Sequence, residues 1–265
     1  MPLLAVAVPR HLAAVALAAA LAFPLAACKT TGDGDVTGSI GQRDLRRGVE
    51  TWSTRYNADP NDPDTAISYA KALRANDQRA QAVAVLEQVT VKHPQNKALL
   101  GAYGRALADV GRFEQALDVL SRAHTPDKPD WRILSAQGVV LDQLGRHAEA
   151  QRHYASALKI QPNDPDVLSN LGLSYALSKE LTLAETTLRR AVAQPGADAK
   201  ARQNLALVLG LQGRFAEAEA MARADLPPEE AAANVAALRQ MVADHTERAK
   251  VSRPMQLTPR RGRDG

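Results

Sequence analysis

Beyond residue 60 the chain repeats itself, and a repeat in unbroken register narrows the possible folds more than any compositional figure. Frames set at Pro63, Lys97, Trp131, Pro165 and Ala199 divide the sequence into five blocks of 34 residues with no insertion or deletion. Self-similarity at a fixed period of this order marks stacked supersecondary units, each too small to bury its own apolar face. The eighth residue of each block is small (Ala70, Gly104, Gly138, Gly172, Ala206), and the twentieth is always alanine (Ala82, Ala116, Ala150, Ala184, Ala218). The twenty-fourth is large in four blocks (Leu86, Leu120, Tyr154, Leu188) and Ala222 in the fifth. Two packed helices per block account for this choice. A small residue lets helix A approach helix B, the alanine receives it, and the large side chain one turn later fills the space that is left. The turns agree: Gly111-Arg112-Phe113, Gly145-Arg146-His147 and Gly213-Arg214-Phe215 place glycine just past helix A, where left-handed backbone ends a helix cheaply. Pro94 and Pro162 stop helix B, and the Pro-Asn-Asp-Pro stretches starting at Pro60 and Pro162 turn the chain and cap the next helix. Only 4% of residues are aromatic, and alanine and leucine dominate the apolar set, which suits close-packed helices better than strands. The fold class read from these features is all-α, a helix-turn-helix solenoid.

Over roughly residues 63–226 the spacing, residue sizes and turns resemble the tetratricopeptide-repeat family. The resemblance implies a right-handed superhelix whose concave groove is lined by helix A residues at block positions two, five, six, nine, twelve and thirteen. Those positions hold Lys71, Arg74, Arg105 and Arg132, then Ser135, Val139, Asp142 and Gln143, then Asn170, Leu173, Leu177, Asn204, Leu207 and Leu211. The candidate partner-binding groove is therefore basic at one end and leucine-lined at the other. A partner's apolar segment would lie on the leucines, with its backbone held by the asparagines and its acidic groups by the arginines.

The flanks are read as follows. Leu45, Val49, Trp52 and Tyr56 recur at helical spacing, which predicts a leading half-repeat helix over 42–62. The blocks decay at the other end, where Pro195-Gly196 shifts the closing proline by one and Asp225 stands at a position expected to be small. A helix over 227–250, with Val235, Leu238, Met241 and Val242 on one face, is predicted to cap the last repeat. Residues 251–265 read as a disordered basic tail. At the N-terminus, Arg10 and His11 precede an apolar run from Leu12 to Leu25, too short to span a bilayer comfortably. Leu25-Ala26-Ala27-Cys28 resembles the lipobox of bacterial lipoproteins. That resemblance implies a signal peptide over 1–27, lipidation of Cys28, and a flexible tether over 28–41. Lys29 stands where an aspartate would signal inner-membrane retention, so the expected place is the periplasmic face of the outer membrane.

The formal charge of +4 sits at the two ends. Arg10 alone precedes Cys28, the last fifteen residues hold Arg253, Arg260, Arg261 and Arg263 against Asp264, and the body between is neutral. A nucleic-acid binder would carry a basic stripe on its folded face, so nucleic acid is not an expected partner. No phosphate loop, Cys-x-x-Cys pair or His-Glu-x-x-His helix occurs, and Asp33 and Asp35 are not followed by the ligands of a calcium loop. His147 and His153 lie six residues apart, off the shared face of a metal helix, and read as exposed. The chain is expected to be no enzyme and to use no cofactor or metal. The lipobox, short tether, terminal helix and runs such as Asn170-Leu171-Gly172-Leu173-Ser174-Tyr175-Ala176-Leu177 and Asn204-Leu205-Ala206-Leu207-Val208-Leu209 together resemble the TadD family. These are repeat lipoproteins of tight-adherence (Flp) pilus assembly. Membership would imply a scaffold for the pilus secretion machinery, with the outer-membrane secretin as partner. The alternative is an adaptor for peptidoglycan enzymes or outer-membrane assembly factors, resembling NlpI or the pilotins of type IV pili.

Overall fold

In the computed structural model, residues 36–251 are described, with side-chain burial for 41–248. The described residues form twelve helices, and the only β pairing among them is an isolated bridge between Thr125 and Lys128. A long first helix, α1 (Val36–Ala58), precedes five pairs. The A helices are α2 (Pro63–Ala75), α4 (Lys97–Asp109), α6 (Trp131–Gln143), α8 (Pro165–Leu177) and α10 (Ala199–Leu211). Their B partners are α3 (Arg79–Lys92), α5 (Phe113–Ser121), α7 (His147–Ile160), α9 (Leu181–Val192) and α11 (Phe215–Ala222). The last helix, α12 (Pro228–Val251), follows the fifth pair. The signal segment, Cys28 and most of the expected tail lie outside the described residues, as does the tether before Val36.

Every A helix opens on the first residue of its block because the residue before it is a capping Asp or Asn. The side chains of Asp62, Asn96, Asp130, Asp164 and Asp198 accept hydrogen bonds of 2.8–3.0 Å from the amides of Thr65, Leu99, Arg132, Val167 and Ala201. Such a side chain satisfies a donor that a helix start leaves orphaned. Each A helix then closes the same way. The amides of Gln78, Arg112, Arg146, Glu180 and Arg214 reach back to the carbonyls of Leu73, Leu107, Leu141, Tyr175 and Leu209 at 2.8–3.0 Å. This closure needs one left-handed residue, supplied by Gly111, Gly145 and Gly213 in three repeats but by Asp77 (φ 61°) and Lys179 (φ 66°) in the others.

Within a pair, the A and B helices meet at the small eighth residue. A Cβ built on Gly104 would lie 2.5 Å from Leu120 Cγ and 3.3 Å from the Ala116 carbonyl oxygen. On Gly138 it would strike the Tyr154 ring at 2.5 Å, and on Gly172 it would strike Leu188 Cγ at 2.5 Å. The twentieth-position alanines are fully buried. Between pairs, each helix packs on its chain neighbours, and successive A helices also touch one another whereas successive B helices make no comparable contact. A stack pinned together along its A side curves toward that side. The A helices therefore line the inner surface and the B helices the outer one.

The ends are closed by helices. On α1, Tyr56 is buried with its ring centroid 5.4 Å from that of Tyr69, and Val49 and Trp52 pack against the same core. This helix starts at Val36, inside the segment expected as tether, and stops at Ala58, short of 62. Once Val49, Trp52 and Tyr56 are anchored, each upstream residue adds a backbone hydrogen bond without a new nucleation cost. At the far end α12 buries Ala231, Val235 and Leu238. Leu238 occupies the space over Gly210, where a Cβ would come within 2.1 Å of its Cδ2, and Arg239 lies over the Phe215 ring at 4.8 Å. Asp225 is explained by its partner: Arg202 of α10 donates from Nε to both of its carboxylate oxygens, at 3.0 and 2.8 Å.

One polar network crosses from the third repeat to the fourth. The Asp142 carboxylate, 8% exposed, accepts from Tyr154 Oη at 3.1 Å and from Ser174 Oγ at 2.8 Å, and pairs with His147 Nδ1 at 2.9 Å. Burial holds the Asp142 carboxyl above its ordinary value, and the bonds from His147, Ser174 and Tyr154 oppose that rise without cancelling it. The same burial, with Asp142 adjacent, pushes the Tyr154 phenol far up, so it stays protonated and donates to the Asp142 carboxylate.

Three substitutions test these assignments by urea denaturation. Lys179→Gly removes left-handed strain and is expected to stabilise by up to about 1 kcal/mol after the entropy cost of glycine. Gly138→Ala drives a methyl into the Tyr154 ring and is expected to cost about 1–3 kcal/mol. Asp142→Ala strands the buried Tyr154 and Ser174 hydroxyls and is expected to cost about 2–4 kcal/mol.

Candidate partner-binding groove

Three properties of the inner surface bear on binding: which side chains reach it, which are committed to one another, and which are left without a partner. Its central ladder is the ninth residue of each block, Lys71, Arg105, Val139, Leu173 and Leu207. Lys71 is exposed and Val139 is 37% exposed, high for an aliphatic side chain on a packed helix. Leu173, Leu177, Leu207 and Leu211 are half-buried, and none of them belongs to the packed cores around them. The capping helix lands instead on Gly210 and the cluster of Leu205, Val208 and Leu209. A strip of leucine surface is thus left on the inner side of the fourth and fifth repeats.

Beside that strip the two asparagines are each half-used. Asn170 Oδ1 accepts from Lys200 Nζ at 3.2 Å, which leaves its amide hydrogens free to donate. Asn204 Nδ2 donates to Ser169 Oγ at 3.0 Å, which leaves its carbonyl free to accept. Donors and an acceptor standing next to an apolar strip are what an extended peptide backbone requires.

At the basic end the four cations differ. Arg74 is tied to Asp109 of the next repeat through an ion pair at Nε. Arg132 is exposed and stacks over its neighbour Trp131, 4.3 Å from the ring centroid. Arg105 is half-buried and has neither hydrogen bond nor ion pair among the described residues. Its guanidinium folds back over Gly101, where a Cβ would sit 3.7 Å from Nη1. Burial is the main cause that lowers its pKa from the ordinary arginine value; Arg74 and Arg132 add to that effect, and Asp130 and Asp109 oppose it. Those two carboxylates are committed, Asp109 to Arg74 and Asp130 to the N-terminus of α6.

Two readings of groove-lining or exposed residues are corrected. Asp142 and Ser135 belong to the interior: Asp142 turns toward the next repeat and Ser135 is buried. His147 and His153 are half-buried, His147 because it bonds Asp142, and His153 with an Nδ1 that has no partner. Ser174, His147 and Asp142 do converge, but serine and histidine both bond Asp142 Oδ1 and the serine is fully buried. A nucleophile must be bonded to its base and open to substrate, so this is a structural clasp. Among the described residues no group of three or more His, Cys, Asp or Glu could hold a metal ion, and no helix is long and apolar enough to cross a membrane.

The chain matches family models of the tetratricopeptide repeat over residues 73–138, 135–199 and 199–224. It is 32% identical over 124 residues to the uncharacterized protein y4yS of Sinorhizobium fredii, a match that covers 46% of this chain and 68% of that one. Among solved structures it is similar to PilW, a widely conserved type IV pilus biogenesis factor, with a TM-score of 0.63 and 18% identity over 74% of this chain and 92% of PilW. It is also similar to the APC/C hetero-tetramer Cut9-Hcn1, with a TM-score of 0.63 and 16% identity over 79% of this chain and 42% of that one. At these identities the structural likenesses speak for the fold alone. Matched repeat models over more than half of its residues, together with the stacked A and B helices, establish that the chain belongs to the tetratricopeptide-repeat family.

Proposed function

We propose that this protein is a lipid-anchored interaction scaffold that assists assembly or localisation of a tight-adherence pilus secretion system, with the outer-membrane secretin as its partner. The observation that carries the reading is the inner groove, whose four leucines stay outside the packed cores beside half-used asparagines. A solenoid places such a surface in one continuous concavity, the form in which repeat proteins hold extended segments. The lipobox at Cys28 supports the anchor, since several acyl chains hold a protein firmly where one chain does so weakly. The periplasmic face of the outer membrane is the proposed site, on the strength of Lys29. The runs around Asn170 and Asn204 support the pilus assignment through their resemblance to the TadD family.

A second reading, an adaptor of the pilotin kind or one for peptidoglycan enzymes, draws support from PilW. That biogenesis factor shares the fold over 92% of its length.

Affinity capture from membranes of the host bacterium separates a secretin partner from a peptidoglycan-enzyme partner. The parent protein is expected to retain the secretin, and the double variant Leu173→Asp, Leu207→Asp to lose at least nine-tenths of it while keeping its helical circular dichroism. Equal capture by the folded variant would falsify the groove assignment. Retention of a peptidoglycan enzyme in place of the secretin would favour the adaptor.

A further inference from the structure

Arg105 poses a problem that the fold does not solve. A guanidinium taken partly out of water loses hydration and normally recovers it from a carboxylate or carbonyl acceptor. Among the described residues Arg105 has neither, and the nearby carboxylates Asp109 and Asp130 are held by Arg74 and by the start of α6. Gly101, one turn earlier, makes room for Ile133, whose Cδ1 would lie 2.6 Å from a Cβ there, and the Arg105 head rests at ordinary contact distance from the same spot, with Nη1 3.7 Å away. Arg132 stands by on Trp131, and Lys71 is exposed one rung away. The basic end is therefore short of one anion, at a defined depth in the groove.

We infer that the groove's occupant is an extended segment of another protein carrying a carboxylate side chain that seats on Arg105, set at a fixed distance from two apolar residues that seat on Leu173 and Leu207. This rests on the groove reading above and adds to it the chemistry and register of the ligand. Neighbouring packed helices lie about 8–10 Å apart. Arg105 and Leu173 stand two A helices apart and Leu173 and Leu207 one, so the acid and the first anchor are separated by about 16–20 Å and the anchors by about 8–10 Å. In the polyproline II form of an extended chain, at roughly 3.1 Å per residue and about three residues per turn, that spacing is about six residues and then about three, which sets all the contacting side chains on one face. Val139, on the rung between, admits a small apolar residue midway. The forked guanidinium takes a carboxylate through two parallel hydrogen bonds, which an amide side chain cannot reproduce.

The test is fluorescence anisotropy of labelled synthetic peptides with the full-length chain at low ionic strength. One peptide has an aspartate six residues from the first of two leucines spaced three apart, the second has asparagine in place of the aspartate, and the third has the aspartate adjacent to the leucines. Each is made in both chain directions. In one direction the first peptide is expected to bind at least tenfold more tightly than the other two, with the advantage shrinking as salt is added. Arg105→Gln is expected to reduce that ratio to near one while melting no lower than the parent, since it removes a half-buried charge that holds no ion pair among the described residues. Acid and amide peptides of equal affinity, a ratio preserved in Arg105→Gln, or a variant melting well below the parent would each overturn the inference. If deletion of residues 252–265 strengthens the acidic peptide tenfold, the occupant is the chain's own carboxyl-terminal segment and the inference also fails. Loss of all peptides in Leu173→Asp, Leu207→Asp without acid selectivity would leave the groove reading standing and reject only the acidic register.

Discussion

Close approach of two helices at a residue without a side chain is the constraint on which the whole molecule depends. Gly104, Gly138 and Gly172 let Leu120, Tyr154 and Leu188 lie directly on the backbone of the facing helix. The fully buried alanines at the twentieth position keep that distance the same in every repeat. Uniform pairing produces uniform stacking, because each pair presents the same surface to the next. The regular stack in turn brings the ninth residues into one ladder, from Lys71 through Arg105 and Val139 to Leu173 and Leu207. A groove of defined chemistry is a consequence of packing on the opposite side of the same helices.

Polar groups inside this apolar lattice fall into two kinds. The first kind is satisfied and joins neighbours: Asp142 collects Tyr154, His147 and Ser174 across the third and fourth repeats, and Asp225 takes Arg202 at the end of the fifth. A buried carboxylate surrounded by donors fixes one arrangement of two repeats, since any slip would leave several groups stranded. The second kind is half-buried with no ion pair or hydrogen bond among the described residues, as with Arg105.

Much of this was readable from residue order. The block frame coincides with the first residue of all five A helices, because small residues, alanines and turn glycines recur in step with the helical ends. The caps were half-read. The Pro-Asn-Asp-Pro stretches point to Asp62 and Asp164, while Asn96, Asp130 and Asp198 stand at the same block position without a proline following them. Asp77 and Lys179 close helices in the left-handed region with no glycine to mark the place. The groove positions were readable as positions, but not the state of their occupants. Position twelve points outward into the groove in one family pattern, yet Asp142 turns to Ser174 because a serine happens to face it from the next repeat.

The sequence by itself determined the period, the helix starts and the order of residues along the inner ladder, all of which follow from local backbone preference and from residue volume at fixed spacing. Only the tertiary structure decided which charges are spent and which are free. Arg74 and Arg105 are alike in sequence, one residue type at two groove positions, but Asp109 pairs with the first and no side chain among the described residues pairs with the second. The leucines likewise differ from those of the core only in what lies opposite them. α12 passes over Gly210 and leaves Leu173 and Leu207 uncovered. Pairing and coverage depend on distances between segments remote in the chain, and those distances exist only once the repeats have stacked.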